Sequence, residues 1–168
     1  MAANMASTNS RKLRKKRKPK EANKWEKMFT PLLKKHHGHY AKKIYHRLMN
    51  KSSSLRSGLR RRSQDYEVEF AITLSEIRDM MYACYGKPCN YCKVKLDVST
   101  MVCDHIIPIS NGGESTPKNL QFICKTCNTR KGPLANEDFK KFLRWIRRQP
   151  QDMQAYVLRK MSAKEVFR

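Results

Sequence analysis

Acidic residues are scarce in this 168-residue chain, in which 14 Asp and Glu stand against 37 Lys and Arg for a formal net charge of +23. The shortage of acids is greatest in residues 1–62, which contain 20 Lys and Arg and only two acidic residues, Glu21 and Glu26. So uneven an excess of positive charge favours a polyanionic partner, most commonly nucleic acid. Charge alone leaves a solubility tail, a ribosomal protein and an anionic membrane surface as alternatives.

Long apolar runs are also missing. No segment approaches the roughly 18 apolar residues of a membrane-spanning helix, so we expect a soluble protein with no membrane partner. The N-terminus is polar and then basic, without the apolar stretch of a secretory signal peptide. The six cysteines are therefore not expected to form the disulfide framework of a small secreted protein.

Four of the cysteines instead form two CxxC pairs with the spacing Cys89-x2-Cys92-x31-Cys124-x2-Cys127. Two such pairs are typical of a metal site in a reducing compartment. Four thiolates suit tetrahedral zinc and leave no open coordination position, so the predicted Zn²⁺ is structural. The remaining two, Cys84 and Cys103, have no CxxC partner, and the position of Cys103 on a predicted strand favours a packed core residue.

Changes in composition divide the chain into five predicted regions: a disordered basic arm (1–20), a basic helical region (21–51), a linker (52–64), a core (65–134) and C-terminal helices that pack on the core (135–168). The arm RKLRKKRKPK has no apolar periodicity and is suited to neutralising phosphates. A nuclear localisation signal and an organelle transit peptide remain alternative interpretations of it. The linker is predicted from the Ser, Gly and Arg content of SSSLRSGLRRRS.

Apolar residues at three- and four-residue spacing predict helices in the 21–51 region, interrupted at Pro31 and again at Gly38. The basic face of this helical hairpin could lie along DNA, or it could simply be solvated. Nearby histidines lack a cysteine or carboxylate cluster and therefore indicate an exposed basic loop rather than a metal site: His36, His37, His39 and His46.

The pattern of the core predicts two strands and a helix around the second CxxC pair. Before the first CxxC pair we expect a short strand at Tyr66–Phe70 and a helix opened by a Thr73/Glu76 capping box. A strand at Thr100–His105 follows, then a turn at Ser110–Gly113, a return strand at Asn119–Ile123 and a short helix from Lys125 to Gly132. The chain then continues with a helix capped by Asn136 and a last amphipathic segment at Met153–Lys160. Arg130 and Lys131 are predicted to bind the nucleic-acid backbone or to be solvated.

The segments DHIIP, NGG, KNLQ, ICKTCN and RKG occur in one order around the CxxC pairs. Together they resemble the HNH endonuclease family over roughly residues 73–132. The resemblance implies an α+β fold: a small ββα-metal (HNH) nuclease core with a four-cysteine zinc site, flanked by helices. The basic helical or disordered N-terminal extension lies outside it.

The candidate catalytic residues are Asp104, His105, Asn119 and Asn128. A neutral imidazole can take a proton from water near pH 7, and His105 has the position for that role. The resemblance implies that Asp104 binds a divalent metal and that Asn119 fixes the loop that orients His105 through bonds to backbone. Asn128 stands where the family usually has a final His. Its neutral oxygen, with the Asp104 carboxylate, suits Mg²⁺ or Mn²⁺.

The sequence therefore predicts a metal-dependent HNH endonuclease that nicks or cleaves double-stranded DNA. One such site cuts one strand at a time, and both a monomer and a dimer remain open. A non-catalytic zinc-ribbon nucleic-acid-binding protein is the alternative, and an RNA-directed nuclease is a third possibility. Small family members are common in bacteriophages and mobile introns, so we expect a cytoplasmic protein of a bacterial or phage-infected cell, or a nuclear or organellar one in a eukaryote.

Overall fold

The computed structural model describes residues 23–163 and has a mixed α+β fold, as predicted. Within that range, six α-helices surround one two-stranded antiparallel sheet. The elements are α1 (Lys24–His37), α2 (Ala41–Asp65), α3 (Leu74–Cys84), β1 (Met101–His105), β2 (Leu120–Cys124), α4 (Lys125–Lys131), α5 (Asn136–Ile146) and α6 (Gln151–Ala163). The predicted disordered arm at residues 1–20 lies outside the described residues.

None of the helices described within residues 23–163 has both the length and the apolar character that crossing a membrane requires.

Helices α1 and α2 form the expected helical hairpin, which turns at Gly38 with φ 52°. Asn23 caps α1 by accepting a hydrogen bond from the Glu26 amide at 3.0 Å. Pro31 lies inside α1, so the interruption predicted there is wrong. The proline ring is on the exposed side of the helix, while Phe29 and Leu33 on the other side are fully buried, and their packing outweighs the missing backbone bond.

The prediction of a linker at residues 52–64 is also wrong, because this segment is the second half of α2. Ser52, Leu59 and Ser63 lie on its buried face. The hydroxyl of Ser52 donates to the Met49 carbonyl at 2.7 Å, so its polarity is satisfied inside the helix. Arg56 donates to the Ile72 carbonyl at 3.1 Å and ties α2 to the next segment. Small polar residues that indicate a flexible linker in the sequence are here part of a packed surface.

The segment that follows α2 is not the strand predicted at Tyr66–Phe70. It has one isolated parallel bridge, between Phe70 and Ser115, and Glu67 has a positive φ of 53°. Helix α3 begins as predicted with a complete capping box, in which the Thr73 hydroxyl accepts from the Glu76 amide at 3.1 Å and the Glu76 carboxylate accepts from the Thr73 amide at 2.7 Å.

Strands β1 and β2 pair antiparallel, with Asp104 opposite Gln121 and His105 opposite Leu120. Both strands begin one residue after the predicted position. Helix α4 follows β2 without a loop and ends at Gly132, as predicted, where φ is 52°. The order strand, loop, strand, helix therefore places β1, β2 and α4 against one another.

Helix α5 begins at Asn136, but its cap residue is Ala135 and the Asn136 side chain makes no capping bond. The Asn136 oxygen instead accepts from the Gln121 amide at 2.7 Å, so the predicted cap is wrong. Phe139 of α5 is fully buried and meets Tyr91 edge-to-face, with ring centroids 4.9 Å apart. Arg130 of α4 donates to Ser162 of α6 at 2.8 Å, which joins the last helix to the core.

One hydrophobic core joins the N-terminal hairpin to the sheet. Its buried members come from nearly every element and include Phe29, Leu33, Leu48, Leu59, Ile77, Met81, Met101, Ile123 and Phe139. The hairpin is therefore packed into the same structure as the CxxC pairs. This packing explains why α2 extends to Asp65.

Candidate functional site

The four cysteines of the CxxC pairs come together as predicted. Their sulfur atoms all lie within 4.8 Å of one another, and among the described residues they are the only such group of metal-ligating side chains. With zinc–sulfur bonds of about 2.3 Å, a tetrahedral site would place sulfurs about 3.8 Å apart. The four cysteines are thus positioned to hold a metal ion, and four thiol ligands suit structural zinc.

Backbone amides support two of these sulfurs. The Cys124 amide donates to Cys89 Sγ at 3.4 Å, and the Cys127 amide donates to Cys124 Sγ at 3.3 Å. Cys124 is the last residue of β2 and the cap of α4, so both strand and helix define its position. Such donors stabilise thiolate charge and orient the ligands. The site therefore fastens the knuckle at Cys89–Cys92 to the junction of β2 and α4.

Asp104 lies in β1 and its carboxylate is held by two neighbours. Lys131 Nζ lies 3.2 Å from Oδ2 and 3.3 Å from Oδ1, and the Gln121 amide donates to Oδ2 at 2.9 Å. The Lys131 side chain is fully buried and also donates to the His105 carbonyl at 2.8 Å. The prediction that Lys131 binds the nucleic-acid backbone or is solvated is therefore wrong: buried charge needs a partner, and Asp104 is that partner.

Three hydrogen-bonding directions of the Asp104 carboxylate are used by Lys131 and Gln121. Because a carboxylate has about four lone-pair directions, room for one further bond remains. Hard oxygen donors of this kind suit Mg²⁺ or Mn²⁺. The donor chemistry at Asp104 thus fits a divalent metal, with the carboxylate already fixed in orientation.

His105 follows Asp104 and is 7% exposed. Its Nε2 lies 3.0 Å from Ser115 Oγ in the loop between the strands. Burial lowers the pKa of His105 below its ordinary value of 6.5; the charge of Arg62 and, less strongly, that of Lys131 lower it too, whereas Asp104 opposes them. The imidazole is therefore mostly neutral near pH 7, which is the form that can accept a proton.

Asn119 holds the loop between the strands through three side-chain bonds to backbone. Its oxygen accepts from the Ile107 amide at 2.8 Å, and its nitrogen donates to the carbonyls of Ile107 at 3.1 Å and Glu114 at 2.9 Å. These are bonds of the kind that the family resemblance implies. Gly113 completes the same loop, because a Cβ there would lie 1.9 Å from the Ile107 carbonyl oxygen.

Asn128 is half-buried in α4, and within residues 23–163 its side chain makes no hydrogen bond. It precedes Lys131 by three residues, so the two lie on the same side of the helix. Since Lys131 contacts Asp104, this placement turns Asn128 toward the Asp104 side of α4. No hydrogen bond joins Asn128 to Asp104 in the described part of the chain.

The histidines near Gly38 lie apart from these two clusters. His36, His39 and His46 are exposed, and His37 forms a hydrogen bond through Nε2 with the Tyr85 hydroxyl. Within residues 23–163 they belong to no group of metal-ligating side chains. His37 is therefore a packing contact between α1 and the residue after α3.

Several residues of the site were not predicted. Gln121 bridges Asp104, Tyr91 and Asn136, and Lys131 fixes Asp104. The strand register could have indicated Gln121, because it stands directly opposite Asp104. Ser63 lies far away in the sequence and is tied to the site only through Ser115, so no local pattern indicates it.

Comparison with known protein families adds an independent finding. The family model described as HNH endonuclease matches residues 89–134, a segment that contains both CxxC pairs, both strands and α4. No curated protein is significantly similar to the chain. Helices α1, α2 and α3 lie outside the match, which also begins later than residue 73. Residues 89–134 thus match the HNH endonuclease domain, and the match covers less than half of the chain.

Proposed function

We propose that the protein is a metal-dependent endonuclease that hydrolyses phosphodiester bonds in double-stranded DNA. The observation that carries the proposal is the buried His105, with its lowered pKa, beside the oriented Asp104 carboxylate in a segment that matches the HNH endonuclease family. A nuclease needs a group to take a proton from water and a centre that offsets charge on the phosphate. These neighbouring residues provide candidates for both.

His105 acts as the general base and accepts the proton of the attacking water. The water oxygen forms a bond to phosphorus while the bond from phosphorus to the 3′ oxygen breaks. Asp104 and Asn128 would hold a divalent ion, Mg²⁺ or Mn²⁺, which when bound offsets charge on the phosphate and the leaving oxygen. Asn119 keeps the loop after His105 closed, and the four-cysteine zinc keeps β2 and α4 in register with the knuckle.

The N-terminal hairpin supplies the electrostatic attraction for DNA. Exposed cations outnumber acids on α1 and α2 and include Lys34, Lys35, Lys42, Lys43, Arg47, Arg60 and Arg61. Helix α2 has 25 residues, so at about 1.5 Å per residue it extends over roughly 37 Å. A surface of this length and charge could follow several phosphates of a duplex, and binding through it would weaken as salt increases.

A supercoiled plasmid assay tests the proposal. The wild type is compared with His105→Ala and with His46→Ala, an exposed histidine in α2, in Mg²⁺, Mn²⁺ or EDTA, after each protein is shown to hold one zinc ion. We expect metal-dependent open-circle DNA from the wild type and His46→Ala, and none from His105→Ala. Early linear product would indicate two sites acting together.

One outcome would replace the proposal. If wild type and both variants bind the plasmid and none cuts it in any of these metals, the protein is a non-catalytic zinc-ribbon nucleic-acid-binding protein. A parallel assay with single-stranded and duplex RNA distinguishes an RNA-directed nuclease from a DNA-directed one.

A further inference from the structure

A buried pair of serines connects helix α2 to His105. The Ser63 hydroxyl of α2 donates to Ser115 Oγ at 2.7 Å, and Ser115 Oγ lies 3.0 Å from His105 Nε2. Ser115 is 0% exposed and Ser63 is 2% exposed. Water therefore does not compete for these bonds, and each hydroxyl depends on its protein partners.

The backbone of Ser115 is fixed as firmly as its side chain. Its amide donates to the Glu69 carbonyl at 2.8 Å, and its carbonyl accepts from the Ala71 amide at 3.2 Å. Both partners belong to the segment that follows α2, outside residues 89–134. Ser115 is thus held from two sides by a part of the chain that the family match does not include, and it passes that constraint to the imidazole.

The contact with Ser115 also distinguishes the two ring nitrogens of His105. Nδ1 has no hydrogen-bond partner in the described part of the chain. Every fully buried side-chain nitrogen or oxygen there does have a partner, so Nδ1 is not fully buried. Nδ1 is therefore the nitrogen that solvent reaches. Nε2 faces the buried serine pair, so the contact with Ser115 Oγ fixes which edge of the ring points outward.

We propose that Ser63 and Ser115 are positioning residues that hold the His105 imidazole with Nε2 against the buried serine pair and Nδ1 toward the substrate. Helix α2 is then a part of the active site and not only a surface for DNA. The inference rests on the proposed nuclease function for its catalytic consequence. The hydrogen-bonded arrangement itself can be tested without any cleavage.

The kinetic test compares Ser115→Ala, Ser63→Ala and the double variant with the wild type. Ser57→Ala is the control, because Ser57 is exposed on the same helix. Zinc content and melting temperature are measured first, and cleavage is assayed well below each melting temperature. We expect Ser115→Ala to lower kcat by about 10- to 100-fold with KM little changed, Ser63→Ala to lower it less, and Ser57→Ala to leave it unchanged.

The double variant separates positioning from general loosening of the fold. If Ser63 acts through Ser115, the double variant is no slower than Ser115→Ala alone. Ser63→Thr, which keeps the hydroxyl, should recover most of the kcat lost in Ser63→Ala. The inference would be overturned if the kcat losses of the two single variants multiplied in the double variant. It would also be overturned if Ser63→Ala had the same kcat as Ser57→Ala.

Nuclear magnetic resonance of the imidazole provides a readout that needs no activity. Two-bond proton–nitrogen correlations of His105, assigned by their loss in His105→Ala, report which nitrogen carries the proton at a pH where the ring is neutral. We expect one of the two neutral forms to predominate in the wild type, where Ser115 contacts Nε2, and a mixture of both forms in Ser115→Ala. A wild type that shows this pattern but does not cut would contradict the proposed function alone, whereas equal proportions of the two forms in the wild type and in Ser115→Ala would overturn the inference.

Discussion

The two clusters of residues 89–134 are built in different ways. The four cysteines come from two short motifs, one in the knuckle and one at the junction of β2 and α4. The Asp104–His105 pair is instead held by residues from across the fold, including Gln121, Lys131 and Ser115. A metal site can thus be indicated by two short motifs, whereas the residues that orient a carboxylate and an imidazole share no motif and come from separate elements.

The largest expected effect comes from breaking the cysteine cluster. In Cys127→Ser one buried ligand is replaced by a hydroxyl, and structural zinc contributes about 10–16 kcal/mol in small zinc-dependent domains. We expect loss of bound zinc and of a cooperative thermal transition, measured by elemental analysis and calorimetry. Cys84→Ala, at a half-buried cysteine outside the cluster, should keep its zinc. A cooperative transition in zinc-free Cys127→Ser would contradict the structural role of the metal.

A smaller effect is expected from removing the support of Asp104. Lys131→Met leaves a carboxylate that is only 10% exposed without its cation, and breaking a buried pair typically costs about 3–5 kcal/mol. Chemical denaturation should therefore show a clear loss of stability while one zinc ion is still bound. Lys140→Met is the matched control, because its ion pair with Glu137 is exposed and its loss should not be measurable. Equal stabilities of the two variants would show that Asp104 needs no partner.

The pH dependence of cleavage reports on His105, the other residue of the Asp104–His105 pair. If His105 is the general base, its neutral form is the active one, and because its pKa is lowered, kcat/KM should keep its plateau to below pH 6.5 before it falls. A divalent cation at Asp104 would act in the same direction. Because Arg62 contributes to this lowering, Arg62→Gln should move the acid limb to higher pH, whereas Arg61→Gln at an exposed neighbour should not. An acid limb at the same pH in all three proteins would remove Arg62 from the site.

The smallest predicted effect concerns the segment that the sequence indicated as a linker. Gly58 lies in the middle of α2, and a Cβ there would meet only Arg62 Nη1 at 3.5 Å, an ordinary contact. Gly58→Ala should therefore stabilise the protein by about 0.5–1 kcal/mol, because alanine favours helix more than glycine does. Denaturant titration measures the change. A neutral or destabilising result would indicate that residues 52–64 are not a continuous helix.

Much of the fold could be predicted because its signals are local. The CxxC spacing indicated the metal site, the Thr73/Glu76 pair indicated the start of α3, and Gly132 indicated the end of α4. The two strands were predicted to within one residue at each end, because the alternation of side chains and the turn at Ser110–Gly113 define them. In each case a short motif of neighbouring residues gave the indication, and for the metal site two such motifs did so together.

The errors share a physical cause, which is packing between distant segments. Ser52 and Ser63 have the composition of a linker, but Ser52 accepts a hydrogen bond from Arg78 of α3 and Ser63 donates one to Ser115 between the strands. Lys131 appears suited to phosphate binding, but it reaches Asp104 across the fold. Asn is a common helix cap, but the Asn136 side-chain oxygen accepts a hydrogen bond from the Gln121 amide instead. Local propensity is overruled where a tertiary partner is available.

The most direct test of the central claim is chemical rescue of His105→Ala. General-base catalysis typically contributes about 10²–10⁴-fold, so the zinc-loaded variant should nick supercoiled plasmid at least about 100-fold more slowly than the wild type in Mg²⁺. Added imidazole should restore part of that rate, while leaving the wild type and His46→Ala unchanged. A zinc-loaded His105→Ala protein that nicks as fast as the wild type without imidazole would contradict the assignment of His105 as the base.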